Sequence, residues 1–108
     1  GPTSNENYDW REYQDVIDEI LRKLVSLGKG IELNTGGFKY GLGHPNPTEE
    51  IIRRYRELGG DIITIGADAH KPEHVAFDFA KVPSILKDAG FDYFTVFRER
   101  KPEFVKIE

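Results

Sequence analysis

Stretches with helical apolar spacing alternate with short β-rich runs, and that alternation limits the fold more than any other feature of the chain. Trp10, Tyr13, Ile17, Ile20, Leu21, Leu24 and Leu27 recur at helical spacing and predict a single apolar stripe. Asp9 with Glu12 three residues later has the form of a capping box, and Gly28 stands where a C-cap is expected. A strand is expected from Gly30 to Asn34, with Ile31 and Leu33 alternating with Glu32 and Asn34. Asn46 as N-cap, Pro47 at the first helical position and Glu49 open a second helix, which buries Ile51, Ile52, Tyr55 and Leu58 and ends at Gly59-Gly60. Ile62 to Ile65 reads as a buried strand. Pro72 to Ala89 reads as a helix broken near Pro83 and stopped by Gly90. Phe91 to Phe97 predicts a last strand, with another over Phe104 to Ile107. This order calls for an α/β fold with a parallel sheet and helices packed outside it. Three or four strands are too few to close a barrel, so the chain reads as part of one. No internal repeat is visible.

Composition sets the outer bounds. The 108 residues make at most one domain, divided here into an irregular segment over 1–8 and one α/β unit over 9–108. The net charge of −4 offers no basic stripe for nucleic acid and no patch for a membrane surface. Arg53, Arg54 and Arg56 cluster, but Glu49, Glu50 and Glu57 share their helix, and the group reads as a solvated face. With no cysteine, disulfides, thiolate metal sites and cysteine nucleophiles are excluded. No apolar run reaches membrane-spanning length and no signal-peptide pattern opens the chain, so a cytoplasmic location is expected.

The run Gly66-Ala67-Asp68-Ala69-His70 follows directly on the strand Ile62 to Ile65. It places a carboxylate and an imidazole at the C-terminal tip of a strand, where α/β barrels carry their catalytic and metal-binding groups. Asp68 offers a hard oxygen and His70 a nitrogen, and both suit a divalent metal. The bland alternative is a turn aspartate beside an exposed histidine. Thr35 to Pro47 is a long loop with four glycines and two prolines, and a loop of that length inside a compact unit is often functional.

Several separated motifs resemble those of the histidinol-phosphate phosphatases of the polymerase-and-histidinol-phosphatase (PHP) family. Glu32-Leu33-Asn34-Thr35-Gly36-Gly37 looks like that family's E-[ILV]-N-T-[SG]-G segment. Leu58-Gly59-Gly60 through Gly66-Ala67-Asp68-Ala69-His70 looks like its L-G-G-x-I-x-[TI]-x-G-S-D-A-H. The tail Ala89-Gly90-Phe91, then Phe97-Arg98-Glu99-Arg100-Lys101-Pro102, is similar too. The resemblance runs from Tyr8 to Glu108 and implies the C-terminal portion of a distorted TIM-like barrel. It implies metal-dependent hydrolysis of L-histidinol phosphate to L-histidinol and phosphate, in histidine biosynthesis. By that resemblance Asp68 and His70 complete a site of two or three metals, zinc, manganese or iron, that position and activate a water. The family's opening His-x-His tip and its further His, Glu and Asp ligands are absent from this chain, which implies an inactive portion that self-associates or pairs with the missing N-terminal part.

Substrate contacts are implied for Asn34 and Thr35 at a strand tip and for Lys39 in the glycine-rich loop. Lys39 stands where the family usually has Arg, which exchanges a two-pronged phosphate fork for a point charge. His44 and His74 read as polar surface, His74 because Pro72 starts its helix after His70. Glu32 and Asn34 face the side that would be a barrel interior. Glu32 there is either part of a structural hydrogen-bond network or support for metal ligands. Two other functions stay open: a different PHP phosphoesterase, such as a nuclease-like domain, and a non-enzymatic metal- or partner-binding fragment.

Overall fold

The computed structural model describes residues 10–34, 48–66 and 72–108. In chain order these form α1 (Trp10–Ser26), β1 (Ile31–Asn34), α2 (Glu49–Glu57), β2 (Ile63–Gly66), α3 (Pro72–Asp88), β3 (Tyr93–Arg98) and β4 (Lys101–Lys106). The expected alternation is present. β1 and β2 pair in parallel, with Ile31 opposite Ile63 and Asn34 opposite Gly66.

The last strands depart from the expected parallel sheet. β3 and β4 form an antiparallel hairpin across a two-residue turn, Glu99-Arg100. Both turn residues have positive φ, 51° and 66°, the backbone that a tight hairpin turn demands. A two-residue link permits only antiparallel return, so β4 cannot extend a parallel sheet. β3 lies against β2 without a ladder to it. Instead the Ile63 N–H donates to Thr95 Oγ1 at 3.2 Å, and Thr95 is buried there.

One core joins the elements. It contains Leu21 of α1, Leu33 of β1, Ile52 and Tyr55 of α2, Ile63 of β2, Val82, Ile85 and Leu86 of α3, and Phe91 and Ile107 beside the hairpin. The α1 stripe is only partly used. Leu21 is buried and Ile17 and Leu24 pack against the core, but Ile20 and Leu27 are more than half exposed. Helix α3 runs unbroken through Pro83. The missing proline N–H removes one helical bond, while Val82, Ile85 and Leu86 on either side are buried and hold the turn by packing. Helix α2 is capped by Thr48, with extended φ and ψ and no side-chain cap bond, and not by Asn46. Asp9 and Asn46 lie outside the described residues, as does the segment 1–8.

The three helices end alike. Gly28, Gly59 and Gly90 all have positive φ and are evenly spaced along the chain. At each, two backbone bonds close the last turn, and the one spanning more residues runs from the Lys29 N–H to the Leu24 carbonyl, from Gly60 to Tyr55 and from Phe91 to Leu86. A strand follows directly in each case. The chain therefore does repeat a unit, helix then glycine turn then strand, that was not apparent as a sequence repeat. Among the described residues no helix is long and apolar enough to cross a membrane.

Candidate functional site

The N-terminal ends of β1 and β2 are tied by Tyr55. Its ring is buried, and its hydroxyl donates to the Lys29 carbonyl at 3.0 Å while accepting from the Ile62 N–H at 3.3 Å. Burial pushes the Tyr55 phenol up from its ordinary range. Close beside it Arg56 donates to the carbonyls of Gly90 at 3.2 Å and Gly60 at 3.1 Å, with its guanidinium 5.4 Å from the centre of the Phe91 ring. Arg54 makes a two-pronged pair with Asp18 of α1, both bonds at 2.8 Å. The Arg54 hydrogen bonds hold the Asp18 carboxyl below the usual carboxylate range, against a smaller opposing effect of burial. The arginine cluster is thus no solvated face. Arg54 and Arg56 each fasten α2 to a different part of the molecule, and only Arg53 is left exposed.

The C-terminal ends of the same strands are Asn34 and Gly66. Leu33 points into the core, and the alternation of the strand sends Glu32 and Asn34 to the other face. Asn34 is half-buried and stands opposite Gly66 in the ladder. Glu32 is exposed and not buried as a barrel interior would have it. Its carboxylate leans along the sheet to Gly66, filling the space that a Cβ at Gly66 would need.

These tips are where the sequence placed the site. Of the five residues assigned to it, Asn34 is described and stands at the end of β1. Thr35, Lys39, Asp68 and His70 lie outside the described residues, as does His44. His74 falls in the first turn of α3, consistent with a helix starting at Pro72. Among the described residues no group of three or more His, Asp or Glu side chains gathers as metal ligands would. What the described part supplies at the tips is oxygen: the Glu32 carboxylate and the Asn34 side-chain carbonyl. The Glu32–Gly66 contact escaped the sequence reading. Its only trace there is a glycine ending an otherwise apolar, β-branched strand, a mark of close approach.

No protein-family model matches the chain. Individual relatives do. A probable histidinol-phosphatase of Thermotoga maritima is 40% identical over 89 residues, covering 82% of this chain and 37% of the relative. The histidinol-phosphatase of Lactococcus lactis is 29% identical over 104 residues, covering 94% of this chain and 37% of the relative. The crystal structure of histidinol phosphate phosphatase from Lactococcus lactis, complexed with zinc, L-histidinol and phosphate, matches with a TM-score of 0.67 at 28% identity, over 89% of this chain and 36% of that one. The chain is a homologue of the histidinol-phosphatases. It spans about a third of the length of the relatives it matches, and a C-terminal portion of such an enzyme fits that coverage.

Proposed function

We propose that this chain is the C-terminal portion of a PHP-type barrel enzyme that hydrolyses L-histidinol phosphate to L-histidinol and phosphate. The observation that carries the reading is the fit of most of the chain to a phosphatase holding zinc, L-histidinol and phosphate. The parallel pairing of β1 and β2 supports it, since it brings their C-terminal ends side by side and barrels of this kind place their chemistry there. Asp68 and His70 are the proposed metal ligands, one oxygen and one nitrogen donor carried on the chain just past Gly66. Zinc is the first candidate, with manganese and iron as alternatives. A metal bound there supplies Lewis acidity and an activated water. Asn34 orients the substrate through its amide, Thr35 through its hydroxyl, and Lys39 neutralises a phosphate oxygen as a point charge. Residues 9–108 form one part of the barrel. The role belongs to histidine biosynthesis in the cytoplasm.

The chain alone is expected to be a poor phosphatase, because two ligands cannot assemble a clustered site. It is also expected to self-associate or to pair with the N-terminal part of the barrel. Exposed Tyr93, Phe97 and Phe104 on the hairpin and Val16, Ile20 and Leu27 on α1 support this. The backbone edge of β4 is a weaker route, since Pro102 takes away one outward donor.

Joining the chain to the N-terminal two thirds of the Thermotoga maritima relative tests the function. Zinc-dependent release of phosphate from L-histidinol phosphate, lost in Asp68→Ala, is expected. No hydrolysis by the joined protein overturns the reading, and cleavage of phosphodiesters in its place would favour the nuclease-like alternative. Light scattering of the isolated chain tests association, and a monomer at micromolar concentration would refute it.

A further inference from the structure

We propose that α1 is the surface through which two copies of this chain pair, antiparallel across a two-fold axis, a role that rests on the association expected above and names its surface. Val16, Ile20 and Leu27 are each more than half exposed. Spacings of four and seven residues put them on one side of the helix, in the phase of a coiled-coil seam. On the neighbouring side Leu21 is buried and Ile17 and Leu24 pack against the core. The fold uses one apolar face of α1 and leaves the other in water. Lys23 completes the seam between Ile20 and Leu27. A lysine in that place is costly to cover unless a carboxylate meets it. Glu19 stands at the margin of the seam beside Ile20 and is exposed. Among the described residues neither Glu19 nor Lys23 is in an ion pair.

This charge order selects both the occupant and its direction. An antiparallel copy sets Val16 against Leu27 and Ile20 against Lys23, twice over by symmetry, and brings each Lys23 beside a Glu19 of the other copy. A parallel copy would set Lys23 against Lys23 and Glu19 against Glu19, which repel. The rest of the exposed helix agrees. Glu12 and Asp15 precede Glu19, with Arg11 the one exposed base among them, and Arg22 joins Lys23 toward the C-terminal end. The antiparallel order therefore faces the acidic part of one helix with the basic part of the other, and opposes their dipoles. The hairpin aromatics Tyr93, Phe97 and Phe104 offer apolar area without that self-complementarity, since Arg98 and Glu103 beside them already pair with each other. The seam runs over about three helical turns, a small contact, so the dimer is concentration-dependent.

Sedimentation velocity of the chain over rising concentration tests the assignment. The wild type should pass from monomer to dimer and stop there, because a two-fold contact closes on itself. Glu19→Lys and Lys23→Glu, each alone, should weaken dimerisation about tenfold, since symmetry turns two attractions into two repulsions. The double variant Glu19→Lys with Lys23→Glu should restore it, and the two single variants mixed in equal amounts should pair with each other. Phe97→Ser on the hairpin should leave the dimer unchanged. Circular dichroism of each variant separates loss of pairing from loss of fold, and both charged side chains are exposed, so the fold should hold. Single charge variants that dimerise like the wild type, or a folded Phe97→Ser that is monomeric, overturn the assignment to α1 and leave association standing. A wild-type chain that stays monomeric overturns association and this proposal together. Capture of that monomer by the N-terminal two thirds of the Thermotoga maritima relative would give the α1 face to that part and not to a second copy.

Discussion

The two ends of the β1–β2 pair are built on opposite plans. At the N-terminal ends, polar groups find partners inside the protein: one phenol joins both strands, and one guanidinium holds two carbonyls and an aromatic ring. At the C-terminal ends, an exposed carboxylate leans across a glycine, and Ile65 packs only partly buried against the core. The hairpin turn after β3 adds two non-glycine residues in left-handed backbone. The comparison shows a division of labour within four-residue strands. One end supplies rigidity through partners within the fold, and the other carries an exposed carboxylate at the strand tip.

Substitutions at the two ends should therefore differ sharply in their effect on stability. Tyr55→Ala is the harshest test, because it removes a buried ring and the bridge between strands. It should cost about 3–5 kcal/mol in denaturant unfolding, a large share of a small domain's stability. A cost near that of a surface change would break the comparison. Gly60→Ala drives a methyl into the Tyr55 ring, which is buried and has no room to yield. It should cost about 1–3 kcal/mol, whereas Gly66→Ala, meeting only the movable end of Glu32, should cost less than 1 kcal/mol.

Arg100→Gly relieves left-handed backbone at the hairpin turn, where Arg100 has φ 66°. It should stabilise the chain by about 1 kcal/mol, read as a rise in the unfolding midpoint. The smallest effect belongs to the Asp18–Arg54 pair, and it is visible chiefly through pH. The Asp18 carboxyl is lowered in the folded state, so the pair stabilises above the unfolded carboxylate range and that contribution vanishes as pH falls through the folded value. The stability difference between wild type and Asp18→Asn should be present at neutral pH and shrink as pH drops below about 4. A difference that persists in acid would assign the contact to packing and not to charge.

Element order was legible because it is written locally. The apolar spacing of α2 identifies Ile52 and Tyr55 as buried, and the glycines that end each helix stand in plain view. The hairpin was not legible. Its turn is Glu99-Arg100, without the Asn-Gly or Asp-Gly that announces such turns, and its backbone is imposed by the paired strands on either side. Arg54 and Arg56 were misread for a different reason. Local sequence pairs them with neighbouring glutamates, while their true partners, Asp18 and Gly90, are more than thirty residues away. At the candidate site the donor types at the tips were readable from strand phase. The reach of Glu32 to Gly66 depends on register between strands, which no single segment records.

Arg56 has a consequence for how the molecule comes apart. Three similar helix–turn–strand units in a row would be free to fray one at a time, as stacked repeats do. Arg56 prevents that for the last two, since it belongs to α2 and holds both the turn that leads into β2 and the turn that leads into β3. Opening either turn removes one of the two bonds that hold the guanidinium in place for the other. In hydrogen exchange the amides of Gly60 and Phe91 should consequently report one shared opening free energy, and they should separate into two when the guanidinium is removed.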